Sequence, residues 1–236
     1  HGDFIETLSL EKNLLFPSVY KYIFTKLSIY TINNADIIRA VSSSTEAQVR
    51  KINKSKDIVR FPAWVDFDDF KDIQLNRNKT NFFQILFIGS VTDRKKPHLI
   101  VEALNLIKKD NIELLIVGPT PNLKYLETLK NLISDYSLDD NVKFFGLVDR
   151  ERVKSFYSEI NLMILPSVSE GLARVIFESQ VTACPVLVTD APGMGDIVIE
   201  GQTGFIFESN NIESLASKIN QVEENYDAAV HIGRNA

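Results

Sequence analysis

Two glutamates eight positions apart, Glu170 and Glu178, are the residues of this sequence whose types and spacing point most directly to chemistry. They lie in the stretch 167–178, SVSEGLARVIFE, directly after the apolar run LMIL and Pro166. That order reads as a strand, a tight turn and the start of an amphipathic helix over 171–183. A helix N-terminus offers unpaired N–H groups and a partial positive charge, which suits a phosphate. With Glu170 at the helix start, the spacing carries Glu178 about 12 Å along the helix and about 80° around it. Carboxylates accept hydrogen bonds from paired hydroxyls, so two of them flanking a phosphate site match a sugar nucleotide, in which a hexose and a ribose flank a diphosphate. The same residues would also serve as an N-terminal Glu complementing the helix dipole and a second Glu on a solvated face.

The elements that must position these residues form a regular series from residue 82 onward. Apolar runs at 84–88, 114–117, 142–145, 162–165, 186–189 and 205–207 alternate with helical patterns at 97–108, 123–136, 150–158, 171–183 and 212–222. Short continuous apolar strands alternating with helices predict an α/β domain with a doubly wound, Rossmann-like parallel sheet covered on both faces. In such sheets ligands sit beyond the carboxyl ends of the strands, at the switch point. The first strand ends in Gly89 and Ser90, followed by Arg94, Lys95 and Lys96. A glycine there lets a ligand approach the backbone, and the cations would neutralise a diphosphate, although a solvated basic loop has the same composition. Neither a G-x-G-x-x-G fingerprint nor a P-loop follows the strand. Gly118 and Phe145, at the next two strand ends, would line a flat base or simply form turns. Gly193 and Gly195 would expose N–H groups to a phosphate or sugar, with Asp196 capping or following a helix start.

Upstream the pattern is less regular. Residues 11–34 read as helical with an interruption at Pro17, 35–41 as a short buried strand, 42–45 as a cap for a helix over 46–52, and 58–61 as a second strand. The polar stretch 71–81, KDIQLNRNKTN, has the composition of a linker, which places a domain boundary between 1–76 and 77–236.

Composition narrows the function classes. A net charge of −5 over 236 residues argues against nucleic acid as a partner, because a nucleic-acid footprint wants a basic patch, and it leaves a small ligand. The single Cys184 excludes an intramolecular disulfide and fits a reducing compartment. No run of 18 apolar residues marks a membrane-spanning helix. The aromatic-rich stretch 16–30, with Lys21 and Lys26, would rest on a bilayer surface or, the favoured reading, bury one face while its lysines snorkel.

Taken together, Ser169 to Leu172 with Glu178, then Cys184, Pro185 and Val186 with Thr189, then Pro192 to Val198, and finally Gly201 with Gly204, resemble glycosyltransferase family 4. Lys95, six residues after Gly89, belongs to the same pattern, and the resemblance covers 82–222. It is looser before the linker, where Ala35, Asp36, Val41 and Ser42, then Phe61, Pro62, Val65 and Asp66, resemble the end of the family's N-terminal domain. His1, Gly2 and Asp3 resemble its histidine-bearing loop. The resemblance implies a retaining enzyme of GT-B fold: a C-terminal nucleotide-sugar donor-binding domain at 77–236, preceded by an incomplete N-terminal α/β acceptor-side domain at 1–76. It implies that Glu170 holds hydroxyls of the donor sugar, that Glu178 holds the ribose, and that Lys95 compensates the leaving diphosphate. Gly171 and Leu172 would offer backbone N–H groups, and His1 would lie beside the transferred sugar. Gly89, Ser90, Arg94, Gly118 and Phe145 complete the expected donor site.

The implied partners are a nucleotide-diphosphate sugar and a glycan or lipid-linked acceptor, with neither cofactor nor metal. The implied setting is cytoplasmic, compatible with peripheral association at the inner face of a membrane. Several positions depart from the family pattern: Ser90 stands where Arg is usual, Ala173 where Gly is, Asp196 where Glu is, and Ala63 and Trp64 replace Asn-Gly. With Ser90, one diphosphate cation is missing and Arg94 is the substitute at hand. About 75 residues before the linker fall short of a typical acceptor domain, and the chain is expected to stop before the fold's final helix. Two alternatives share these motifs, a GT-B-like nucleotide-sugar epimerase and a non-catalytic donor-binding fragment.

Overall fold

Two short strands at 38–40 and 58–60, each with a single arginine, pair with each other in the first described part of the chain. In the computed structural model, residues 17–61, 67–71, 73 and 82–236 are described. By contact they divide into two units. One comprises 17–61 together with Ser169–Ala173 and Ala191–Asp196; the other comprises the described residues of Asp66–Val168, Arg174–Asp190 and Ile197–Ala236.

The smaller unit runs α1 (Pro17–Asn34), β1 (Ile38–Ala40), α2 (Ser43–Ile52) and β2 (Ile58–Arg60). β1 and β2 pair in parallel, with Ile38 opposite Ile58 and Ala40 opposite Arg60. α2 starts at Ser43, three residues before the expected point, because Ser42 is the N-cap residue: its hydroxyl accepts the Thr45 N–H at 3.2 Å. α1 departs from the favoured expectation of a buried face. Among the described residues its Val19, Tyr22, Leu27 and Tyr30 are all more than half exposed, and Ile32 is buried. No described helix is long and apolar enough to cross a membrane.

The larger unit opens with the short α3 (Asp68–Lys71) and then alternates: β3 (Phe83–Ile88), α4 (Pro97–Ile107), β4 (Ile112–Val117), α5 (Leu123–Asp135), β5 (Val142–Gly146), α6 (Arg150–Glu159), β6 (Leu162–Leu165), α7 (Arg174–Val181), β7 (Val186–Thr189), β8 (Phe205–Phe207), α8 (Ile212–Glu224) and α9 (Tyr226–Arg234). The six strands form one parallel sheet in the order β5-β4-β3-β6-β7-β8. Every residue of β4, β6 and β7 is buried, Glu113 and Thr189 included, which is why 114–117, 162–165 and 186–188 read as apolar runs instead of alternating. The doubly wound α/β class expected from the sequence is therefore the observed one. The order places the switch point between β3 and β6, whose register pairs Ile85 with Leu162 and Leu86 with Met163.

Two helices differ from expectation. α7 begins at Arg174 and not at Gly171, which has poor helical propensity. α9 was not anticipated. It follows α8 after the single residue Asn225, and its small residues allow close packing: a Cβ on Gly233 would come within 2.7 Å of the Ala183 carbonyl.

Candidate functional site

At the carboxyl end of β3 the architecture is made of backbone. Gly89 has φ +151° and Gly118, at the end of β4, has φ +134°. A Cβ on Gly118 would stand 2.2 Å from the Gly89 carbonyl oxygen, so only glycine permits this approach. The strand ends are laced together by Gly89 N–H to the Val117 carbonyl (2.9 Å), Gly118 N–H to Gly146 (2.8 Å) and Val91 N–H to Pro119 (2.9 Å). Into the space that a Gly89 side chain would fill comes Lys95, whose Cε lies 3.6 Å and whose Nζ lies 3.8 Å from that missing Cβ. The N–H groups of Lys95 and Lys96 both donate to the Thr92 carbonyl, which folds the loop back on itself. The carbonyl of Arg94 accepts the Val168 N–H at 3.0 Å and ties this loop to the chain leaving β6, across the switch point. Ser90, half-buried, contributes its carbonyl to the Thr92 hydroxyl at 3.5 Å.

Sequence reasoning missed two features of this end. Ser167 is fully buried just past β6; its carbonyl accepts the Thr189 hydroxyl at 2.8 Å, while its own Oγ has no hydrogen-bond partner among the described residues. An unsatisfied buried hydroxyl costs about 1–3 kcal/mol and is uncommon. The second is the start of α4, where Lys96 at φ +48° precedes Pro97 and no side chain caps the helix. One residue on, His98 Nδ1 lies 2.6 Å from the Tyr125 hydroxyl. Burial, then neighbouring Lys96, hold His98 below its ordinary pKa against the opposing pull of Asp93. Burial pushes the Tyr125 phenol well up.

Glu178 is positioned by side chains. It lies half-buried on α7, and the Tyr157 hydroxyl of α6 donates to its Oε2 and to the Val175 carbonyl, each at 3.2 Å. Burial raises the Glu178 carboxyl above its ordinary value; the Tyr157 hydrogen bond and the charges of Arg150 and Arg174 oppose that rise. Tyr157 is fully buried, and burial and the Glu178 charge push its phenol up. Phe70 of α3 meets the Tyr157 ring edge-on, with centroids 5.8 Å apart, and Phe67 lies 6.2 Å from Phe177. Phe145, on β5, is 37% exposed. Its ring packs edge-on against Phe156 at 4.8 Å, and the Arg152 guanidinium lies 4.4 Å from the Phe156 centroid.

In the smaller unit Glu170 is buried, 7% exposed, and lies outside any helix, four residues before α7 begins. The geometry expected from a helix starting at Glu170 therefore does not apply. Its N–H donates to the Pro192 carbonyl at 3.2 Å. Its own carbonyl lies 2.0 Å from where a Cβ on Gly193 would be, and Gly193, at φ +93°, is suited to that approach. Gly171 is buried and Leu172 half-buried. Asp196 does cap a helix, but one that lies far back in sequence: its carboxylate accepts both the N–H and the hydroxyl of Ser43 at 2.5 Å, at the first turn of α2. The Met194 N–H, between the two glycines, is used within the turn by the Ala191 carbonyl.

The structure thus brings Gly89, Lys95, Gly118 and the backbone of Arg94 together at the strand ends, and fixes Glu178 beside Tyr157. His1 lies outside the described residues. Among the described residues no group of three His, Cys, Asp or Glu side chains could hold a metal ion.

Comparison with known proteins places the sequence among its relatives. The family model described as glycosyl transferases group 1 matches residues 68–236. An uncharacterized glycosyltransferase of Methanocaldococcus jannaschii is 28% identical over 208 residues, covering 87% of this chain and 55% of the relative. The capsular polysaccharide biosynthesis glycosyltransferase CapM of Staphylococcus aureus is 27% identical over 250 residues, covering 98% of this chain and 63% of its own length. The chain therefore spans about 55–63% of these curated relatives. Among solved structures, sucrose-phosphate synthase of Thermosynechococcus elongatus matches with a TM-score of 0.82 at 22% identity, covering 98% of this chain and 59% of that one. HepE of Anabaena, solved in complex with UDP-glucose, matches with a TM-score of 0.82 at 20% identity, covering 93% and 63%. At these identities the likeness shows the fold, which is the α/β, GT-B type expected from the sequence.

Proposed function

The chain belongs to the glycosyl transferases group 1 family, and from that premise we propose that it is the donor-binding part of a retaining glycosyltransferase of family 4. It takes a nucleotide-diphosphate sugar, the class to which the UDP-glucose in the HepE complex belongs, and passes the sugar to a glycan or lipid-linked acceptor. Residues 77–236 form the donor domain and 1–76 the tail of the acceptor-side domain. The setting is cytoplasmic, at or near the inner face of a membrane.

The observation that carries this reading is the carboxyl end of β3. Two glycines bare the backbone at the switch point of a doubly wound sheet, and a lysine folds over one of them. A diphosphate can approach such a backbone closely, and Lys95 supplies the charge it needs. Arg94 is the second cation of the same loop. Gly118 and Phe145 flank the base, and Glu178 accepts hydrogen bonds from the ribose hydroxyls. Glu170 keeps the role its motif implies, acceptor for the hydroxyls of the donor sugar, with Gly171 and Leu172 beside it; His1 keeps its place near the transferred sugar.

In the transfer the bond from the sugar's anomeric carbon to the diphosphate oxygen breaks, and one to the acceptor oxygen forms on the same face. The acceptor proton passes to the departing diphosphate. No metal takes part, so stabilising the developing negative charge falls to Lys95, Arg94 and backbone dipoles.

Calorimetric titration of UDP, GDP and ADP into the wild-type chain and Glu178→Ala tests the reading. Selective binding of one diphosphate, weakened by Glu178→Ala, is the expected result. Failure of all three to bind at millimolar concentration would overturn it.

A further inference from the structure

Tyr157 has no place in the roles given so far, yet its geometry is built around Glu178. Val175 and Glu178 are three apart on α7 and so lie on one helix face. The Tyr157 hydroxyl reaches that face from α6 and divides its proton between the Val175 carbonyl and Glu178 Oε2, both at 3.2 Å. Among the described residues no other side chain hydrogen-bonds the Glu178 carboxylate. The ring itself has little freedom, being fully buried with Phe70 against its edge. The Arg150 guanidinium in turn lies 5.3 Å from the Phe70 ring centroid. A glutamate has three side-chain rotors, and ordering them on binding costs free energy that a preset carboxylate avoids.

We propose that Tyr157 is the positioning residue of the ribose site: its hydroxyl holds the Glu178 carboxylate in the orientation from which it accepts hydrogen bonds from the nucleotide's hydroxyls. This rests on the reading of Glu178 as the ribose ligand. Tyr157 touches no substrate and acts through Glu178. Phe70 supports it from α3, so a segment outside the α7 motif contributes to nucleotide affinity. The electrostatics agree in direction. Burial raises the Glu178 carboxyl, while Tyr157, Arg150 and Arg174, the groups that face it, hold it down. Removing the hydroxyl lets the carboxyl rise further.

The experiment titrates UDP, GDP and ADP, each with its 2′,3′-dideoxy counterpart, into the wild-type chain, Tyr157→Phe, Glu178→Ala and the double variant. Loss of one hydrogen bond to a charged acceptor is expected to weaken the ribonucleotide about three- to tenfold in Tyr157→Phe. Binding of the dideoxy compound should not change, and Tyr157→Phe should add nothing in the Glu178→Ala background. The acid limb of ribonucleotide binding should also move to higher pH in Tyr157→Phe. Phe70→Leu keeps the hydroxyl and loosens the ring, so it should give a smaller loss confined to the ribonucleotide, a second measure should Tyr157→Phe fold poorly. Equal weakening of ribo and dideoxy compounds, or additive effects in the double variant, would overturn the inference and make Tyr157 a packing residue. Binding that depends on Glu178 and ignores Tyr157 would overturn it while leaving the ribose reading in place. Absence of any Glu178 dependence would remove that reading and the inference with it.

Discussion

The carboxyl end of β3 and the inner face of α7 each set a charged group in place, and they do so by opposite means. At β3 the means is subtraction. Gly89 and Gly118 lack side chains, the two strand ends approach backbone to backbone, and Lys95 fills the room left over. At α7 the means is addition: Glu178 is held by a buried tyrosine, itself supported by a phenylalanine from α3. The first arrangement tolerates almost no change in shape. The second should degrade by steps, since each contact is a separate increment.

The largest expected effect breaks the first arrangement. Gly118→Ala would put a Cβ 2.2 Å from the Gly89 carbonyl oxygen, at a φ of +134° that L residues rarely adopt. Backbone must move, and the expected loss is about 3–5 kcal/mol of stability, read as a lowered midpoint in urea unfolding. Gly146→Ala is the control. It also has positive φ, +63°, but among the described residues nothing lies within 4 Å of its added Cβ, so about 1 kcal/mol is expected. Equal losses at the two positions would mean that strain in φ, and not the backbone approach, dominates at Gly118.

The next effect is on binding and leaves the fold alone. Lys95→Ala removes the cation over Gly89 but none of the glycine contacts that join the strands. Affinity for a nucleoside diphosphate should fall about tenfold, and the difference between wild type and variant should shrink as salt is raised. The unmodified nucleoside, lacking phosphates, should bind both proteins alike. A salt-independent loss would show that the side chain matters for packing and not for charge.

How much of this was legible before the fold was known follows from the same contrast. Gly89 could be singled out because a glycine directly after an apolar run has a meaning local to the sequence, and Lys95 followed at short range. The sheet was legible for a related reason: strands buried on both faces carry continuous apolar runs, as β4 does over 114–117, β6 over 162–165 and β7 over 186–188. Tyr157 gave no such signal. It lies 21 residues before Glu178, and its role depends on how α6 packs beside α7. Asp196 was read as a cap, yet its partner Ser43 is 153 residues away, a distance no local pattern spans. The start of α7 was misplaced because Gly171 was counted as helical on the strength of the apolar periodicity behind it. The buried Ser167 hydroxyl, without a partner among the described residues, was equally silent, since a serine after a strand is ordinary in sequence and unusual only by its surroundings.

The smallest expected effect sharpens the α7 side of the comparison. Burial holds the Glu178 carboxyl above its ordinary value despite Tyr157, Arg150 and Arg174. The folded protein therefore keeps the Glu178 proton more tightly than the unfolded chain does. That preference contributes stability in full below the ordinary carboxylate range and loses it as pH rises through the folded-state value. Glu178→Gln cannot ionise, so at neutral pH it escapes the loss while its amide oxygen can still accept from Tyr157. Because the group is partly solvent-screened, a rise in Tm of only about 1 °C is expected at pH 7, vanishing near pH 4. The same substitution should weaken nucleotide binding at neutral pH, where the ribose hydroxyls lose a charged acceptor, and the two proteins should converge in affinity as acid protonates Glu178 in the wild type. Stability gained and affinity lost at one position would identify a carboxylate held for binding at a cost to the fold. If Glu178→Gln instead lowered Tm at pH 7, the interactions of the ionised form would outweigh its burial.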